Sequence, residues 1–204
     1  MRCTQYLCLI VIITTFLSSC AKSPLGRNQL KLYSSSQLAG MGEQAFSGMK
    51  TQQKVSNQLA AVIGHEVGHV IAEHGNERMS SSALIGVGME VTNQLLKANE
   101  IASSNMIMAG LGLGVQVGVQ LPFGRTHESE ADLIGLDLMA KAGINPQQSI
   151  NLWQNMDKAA GKNRQPEFLS THPLPSTRIK NLTNNMPSAL KSYRLATNKP
   201  NCKI

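Results

Sequence analysis

The 204-residue chain reads as a mainly α-helical domain. Three observations predict this class. Apolar residues recur at three- and four-residue spacing along most of the chain, helix start and stop residues fall at matching intervals, and strand-like alternation is confined to one ambiguous stretch. The composition, 42% hydrophobic with 17 Gly, 8 Pro and 4 Cys, is too apolar for a disordered chain, too poor in Gly and Pro for a fibrous one and too poor in Cys for a disulfide scaffold. Net charge is +7, but the Lys and Arg are scattered and only 4% of residues are aromatic, so no nucleic-acid partner is expected. The charge suits solubility or attraction to an anionic surface.

The first element is an address. Arg2 precedes the twelve uncharged residues from Tyr6 to Leu17, and small residues follow, so residues 1–19 read as a secretory signal. That run is shorter than the roughly 20 apolar residues a spanning helix needs. Leu17-Ser18-Ser19-Cys20 resembles a bacterial lipobox, which makes Cys20 a lipidation site and attaches the chain to a membrane; an ordinary signal ending beside a Cys is the alternative. Ala21, rather than Asp, follows it, and among such lipoproteins this implies the outer membrane, facing the periplasm. Residues 20–36 lack periodicity and contain Ser, Pro and Gly, so they read as lipidated Cys and tether, leaving 37–204 as the domain. Cys3 and Cys8 depart with the signal. Cys202 is then an odd thiol, which suggests a disulfide partner, a small-thiol adduct or an inert tail.

The helices follow in order. Leu38, Met41, Ala45, Phe46 and Met49 give Gln37 to Val55 an amphipathic stripe. Asn57 caps a second helix through Leu59, Val62, Ile63, Val70 and Ile71, with a stop at His74-Gly75, and Ser80 to Ser82 begin a third that runs toward Glu100. Ile101 to Gly124 carries no charge in 24 residues. Its Leu111, Leu113, Val115, Val117, Val119 and Leu121 alternate as in a strand, yet Gly110, Gly114 and Gly118 lie four apart as in packed helices, and helix is the expectation. Ser103, Ser104, Asn105, Gln116 and Gln120 count against insertion of this stretch into lipid. Further helices are predicted from Thr126 to Ala142, from Pro146 to Ala159, and from Pro175-Ser176 to a break at Pro187, with a loop over Gly161 to Thr171. There is no internal repeat.

The chemistry is concentrated in His65-Glu66-Val67-Gly68-His69. Residues four apart on a helix differ by about 40° in direction, so both imidazoles can converge on one Zn²⁺ with bonds of about 2.0–2.1 Å. Glu66, rotated by about 100°, then reaches a water whose pKa the zinc lowers and takes its proton as general base. A catalytic zinc needs a third ligand. Glu128 supplies one from the Thr126–Ala142 helix, and Asp132, four residues on, is placed to accept a hydrogen bond from the far nitrogen of His65 or His69. A plain acidic first turn favoured by the helix dipole would also explain Glu128 and Glu130. Glu130 reads as a surface charge, His74 as a residue near a helix C-terminus and His127 as surface or outer-layer.

Leu59 to His69, then Glu128-Ser129-Glu130-Ala131-Asp132, then Thr171-His172-Pro173-Leu174-Pro175-Ser176-Thr177-Arg178-Ile179 resemble the three signature blocks of metallopeptidase family forty-eight, the family of the CAAX prenyl protease, HtpX, BepA and LoiP. The resemblance runs from about Gly26 to Ser192 and is strongest to LoiP-type lipoprotein members. It implies a zincin-like (gluzincin) helical core, one zinc on His65, His69 and Glu128, and Glu66 as general base. It also implies that His172 and Arg178 act near the metal, stabilising the developing oxyanion or capping the zinc at rest. From the residues alone, His172 reads equally as a turn residue and Arg178 as a solvated helix residue.

The chain also departs from the family pattern. Members carry a small β-sheet between the N-terminal helix and the His-Glu helix, and here Met49 to Ser56 runs straight into Asn57, so an internal β segment near 55–57 is missing. Extended peptides commonly bind by strand addition, so the substrate edge is affected. In LoiP-like chains that segment carries a Cys, which would account for a solitary Cys202. The expected function is a zinc endopeptidase acting on misfolded or unassembled cell-envelope proteins; the alternatives are a zinc-binding, proteolytically weak lipoprotein that holds partners and an integral-membrane protease in which Ile101 to Gly124 inserts.

Overall fold

A computed structural model describes residues 20–32, 57–159, 166–170, 172–197 and 199. The signal region, the amphipathic Gln37–Val55 segment and Cys202 lie outside the described residues.

The chain enters as a hairpin rather than a tether. Strands β1 (Cys20–Lys22) and β2 (Asn28–Leu30) pair antiparallel with Cys20 opposite Leu30, and Gly26 closes the turn at φ 85°. Polar side chains fasten it to the helices. Gln29 Nε2 donates to the Ala72 carbonyl at 2.5 Å, Lys31 pairs with Glu73 at 2.7 Å, and the Leu32 N–H donates to Ser80 Oγ at 2.8 Å. Three-residue strands held by such long-range bonds leave no apolar period in the sequence, which is why the expectation of a tether over 20–36 fails for residues 20–32.

Helix α1 (Asn57–Ile71) ends three residues short of the predicted stop, because Glu73 takes a left-handed φ of 52° and turns the chain. His74 therefore opens α2 (His74–Ala98), ahead of the expected start at Ser80, instead of closing the preceding helix. A non-glycine residue at positive φ is uncommon and has no reliable sequence signal. Helix α3 (Ser104–Val115) runs through a π-turn at Gln116–Gln120 into α4 (Leu121–Lys141), so the alternating stretch is helical and α4 begins five residues before the predicted Thr126. Helix α5 (Gln147–Ala159) starts just after Pro146, as predicted. Helix α6 (Pro175–Leu195) passes through Pro187 without ending there. Pro187 sits on the solvent side while Met186 and Ala189 are buried, and that packing holds the helix across the lost N–H.

The core lies where α4, α5 and α6 meet, at Leu136, Ala140, Ile150, Leu182, Met186 and Ala189, with Trp153 packed against it. Helix α1 crosses α4 at backbone contact. A Cβ on Gly64 would sit 3.0 Å from the Gly135 carbonyl oxygen, and one on Gly68 would sit 2.7 Å from that of Ala131. The fold is thus the helical core expected from the sequence, and the β1–β2 hairpin is its sheet among the described residues.

Candidate metal centre

Close approach of α1 and α4 sets the centre. With glycine on α1 and Ala131 or Gly135 on α4, no side chain separates the two backbones, and the residues flanking the contact face each other. His65 Nε2 and His69 Nε2 lie 3.1 Å apart. Glu128 Oε2 is 3.4 Å from the first nitrogen and Glu128 Oε1 is 3.3 Å from the second. A tetrahedral ion with bonds of about 2.05 Å has ligand-to-ligand edges of about 3.3–3.4 Å, so this donor set fits zinc in both chemistry and spacing. Three corners are supplied by the chain, as a catalytic site requires.

Each imidazole is held from behind. Asp132 Oδ1 is 3.0 Å from His65 Nδ1, the relation that the four-residue offset from Glu128 predicts. Arg178, 3% exposed, grips Asp132 through Nε at 2.7 Å and Nη2 at 2.5 Å, extends Nη1 to Glu128 at 3.3 Å, and stacks on Trp153 with its guanidinium carbon 3.5 Å from the ring centroid. His69 Nδ1 faces His74 Nδ1 at 2.9 Å, and His74 Nε2 faces Glu130 Oε2 at 3.2 Å. One tautomer satisfies both contacts. His69 donates to His74, and His74 donates to Glu130.

A buried polar layer continues beyond. Arg27, on the β1–β2 turn, reaches Glu77 with both terminal nitrogens at 2.6 Å and Glu130 through Nε at 2.9 Å. His127 bonds Glu77 at 3.0 Å and stacks on His74 at 4.3 Å between centroids. Glu130, 5% exposed, is therefore not a surface charge, His74 is not merely a helix-end residue, and His127 is wholly inside. Arg27 lies in Gly26-Arg27-Asn28-Gln29-Leu30, the segment most like LoiP-type chains, but nothing in the sequence signals its pairing with Glu77 and Glu130, and Glu77 carries no motif signal. The spacing Gly64-x-x-x-Gly68 was the signal available for the helix contact.

Electrostatics follow from this layering. Burial opposes charge on His65, but hydrogen bonds to Asp132 and Glu128 overcome it and raise its pKa to about 9. Burial likewise opposes the Glu128 carboxylate, and His65, His69 and His172 outweigh it and hold the group far below the usual range. Burial, reinforced by His127, pushes His74 down to about 4, so it stays neutral. Glu77 is lowered to about 2 because His127 and Arg27 outweigh the burial that opposes its charge.

Glu66 is exposed and lines a cleft of about 440 Å³ together with His65, Glu128, Asp132, His172 and Arg178. His172 stands at its mouth, 64% exposed, with Nδ1 3.0 Å from Glu128 Oε2. Of the residues predicted to act at the metal, His65, Glu66, Glu128, Asp132, His172 and Arg178 line this cleft, and His69 is joined to them through His65 and Glu128. Arg178 differs from its expected oxyanion role in one respect, since its donors are directed at Asp132 and Glu128.

The profile of peptidase family M48 matches residues 10–186. The chain belongs to peptidase family M48. It is 33% identical over 145 residues to the mitochondrial metalloendopeptidase OMA1 of Schizosaccharomyces pombe, covering 71% of this chain and 41% of that protein. It is 34% identical over 155 residues to the mitochondrial metalloendopeptidase OMA1 of Bos taurus, covering 72% and 29%. Against the beta-barrel assembly-enhancing protease of Escherichia coli K12 it is 32% identical over 133 residues, covering 63% and 27%. The chain spans less than half the length of each of these relatives. No solved structure matches it significantly. For an M48 chain, the His65–His69–Glu128 cluster stands as the candidate metal centre.

Proposed function

We propose that the chain is a zinc-dependent endopeptidase of the cell envelope that hydrolyses peptide bonds of misfolded or unassembled proteins. The observation that carries this reading is the donor triangle of His65, His69 and Glu128 with edges of 3.1–3.4 Å beside a cleft. When bound, zinc supplies Lewis acidity, which lowers the pKa of a water and polarises a substrate carbonyl. The chain's residues do the rest. Glu66, at the cleft wall, takes a proton from the attacking water and passes it to the leaving amine. Asp132 and Arg178 fix the ring of His65, while His74 and Glu130 fix that of His69. His172, at the mouth, donates to the oxygen on which negative charge develops.

The envelope setting rests on the residue 1–19 signal pattern and Cys20, read as the lipid attachment to the outer membrane with the domain facing the periplasm. Cys202 is read as a thiol available to a disulfide partner.

One observation favours a second reading. On the face of α1 that carries Glu66, Ile63 and Val70 are 45% and 72% exposed, with no sheet over them among the described residues. A chain without that sheet edge would bind zinc and hold partners while cleaving weakly.

Zinc content and casein cleavage of the wild type and Glu66→Gln decide between them. The peptidase reading expects about one zinc per chain in both proteins, with cleavage lower by about 10²–10⁴-fold in the variant. Zinc retained without wild-type cleavage favours the binding protein, and no zinc in either removes both readings.

A further inference from the structure

The hairpin of α2 and α3 stands off the core with its apolar side chains in the open. On α2, Leu84, Val87, Val91 and Leu95 are 43%, 63%, 53% and 59% exposed, and their spacing of three and four makes one stripe. Glu90, Asn93 and Lys97 lie about 100° or more around the same helix. Helix α3 buries none of its residues, and Met106 and Leu113 are 77% and 65% exposed. A contiguous apolar surface of this kind marks an interaction site.

We propose that this hairpin lies in the head-group region of an anionic lipid surface, with the Leu84–Leu95 stripe and the apolar side chains of α3 immersed and Glu90, Asn93 and Lys97 in water. Three observations favour this occupant. The chain carries net charge +7, which draws it to an anionic surface rather than a neutral one.

The charge pattern also selects an in-plane position. The helix Ser104–Lys141 is long and apolar enough to cross a bilayer by length and composition. Its hairpin partner α2, however, carries Glu90, bonded to Gln94 at 2.6 Å, near the middle of its length. Spanning would place that carboxylate in hydrocarbon, whereas lying flat leaves it wet.

The third observation is placement. The chain leaves the β1–β2 hairpin at Leu32, whose N–H is bonded to Ser80, one turn before the stripe begins at Leu84. Cys20, which pairs with Leu30, is therefore near the base of the apolar hairpin, and one bilayer surface can take both. Only this last argument rests on the proposed lipidation.

The test uses the full chain with its four cysteines replaced by serine and a polarity-sensitive fluorophore on a single cysteine introduced at 87, 90, 91, 97 or 113. Vesicles of phosphatidylethanolamine with phosphatidylglycerol are the probe, compared with phosphatidylcholine alone. The expected result is a blue shift on the anionic vesicles at 87, 91 and 113 and none at 90 and 97. A shift at all five positions means a spanning hairpin, a shift without vesicles that grows with protein concentration means a second copy of the chain, and no shift means neither; each overturns the proposal. Val87→Glu with Val91→Glu should lower the vesicle-bound fraction by at least about tenfold. Zinc content and casein cleavage of that variant without vesicles stay at wild-type values, so failure of the lipid reading is separable from failure of the peptidase reading.

Discussion

Gly68 on α1 meets Ala131 on α4 so closely that a Cβ added to the glycine would lie 2.7 Å from the alanine carbonyl oxygen. The metal triangle depends on that contact, since His69 follows Gly68 and Glu128 lies within one turn of Ala131. Gly68→Ala should push the helices apart, destabilising the fold by about 1–3 kcal/mol. Zinc affinity, measured by competition with a fluorescent chelator, should fall with it; a variant with unchanged melting temperature and affinity would show that the two helices are not locked.

Asp132→Asn removes the carboxylate that orients His65 and receives Arg178. The expected loss is about 10–100-fold in zinc affinity, the range for partners of metal-bound histidines. The same chelator titration reads it, and an affinity within twofold of wild type would assign Asp132 a purely structural part.

Arg27→Ala strips the cation from two carboxylates, Glu77 at 2% and Glu130 at 5% exposure. Urea unfolding should show a loss of about 2–4 kcal/mol. Arg27→Lys should recover only part of it, because a single ammonium cannot reproduce the guanidinium fork on Glu77 together with the Nε bond to Glu130.

Acidity should act on the metal-free chain in a defined direction. His65 is raised from 6.5 to about 9, so the stability it gives is complete below pH 6.5 and is lost as pH rises through about 9. His74 is lowered from 6.5 to about 4, so between those values the unfolded chain binds a proton that the native one refuses, and stability falls as pH falls. Glu77, lowered from 4.5 to about 2, adds to the loss below pH 4.5. Urea unfolding in the presence of a chelator should therefore peak near pH 6.5. Zinc must displace the His65 proton, so its apparent affinity should rise by about tenfold per pH unit until about pH 9. A flat profile would mean that His65 is not protonated.

Two kinds of signal made the centre legible in the sequence: the resemblance to the family's three blocks, which joined His65 and His69 to the distant Glu128, His172 and Arg178, and local spacing within each block. His65, Glu66 and His69 share a single turn, and Glu128 and Asp132 repeat the same offset, so helix geometry alone relates them. What escaped reading depends on contacts across the chain. Arg27 meets Glu77 and Glu130 from 50 and 103 residues away, and no periodicity encodes such pairings. The same reason hides the β1–β2 hairpin. Its strands are too short for an alternating pattern, and they are held by Gln29, Lys31 and the Leu32 amide rather than by apolar burial. The break at Glu73 escaped because a local turn signal, His74-Gly75, stood immediately after the real one.

The docked hairpin has a mechanical consequence. A loose sixteen-residue strand would let the domain wander through an r.m.s. excursion of about 20–25 Å from its attachment point. With β1–β2 clamped by Arg27, Gln29 and Lys31, that slack is gone, and a lipid on Cys20 would fix the height and tilt of the cleft above the bilayer. Only chains that come within a narrow stratum of the surface would then be within cutting range.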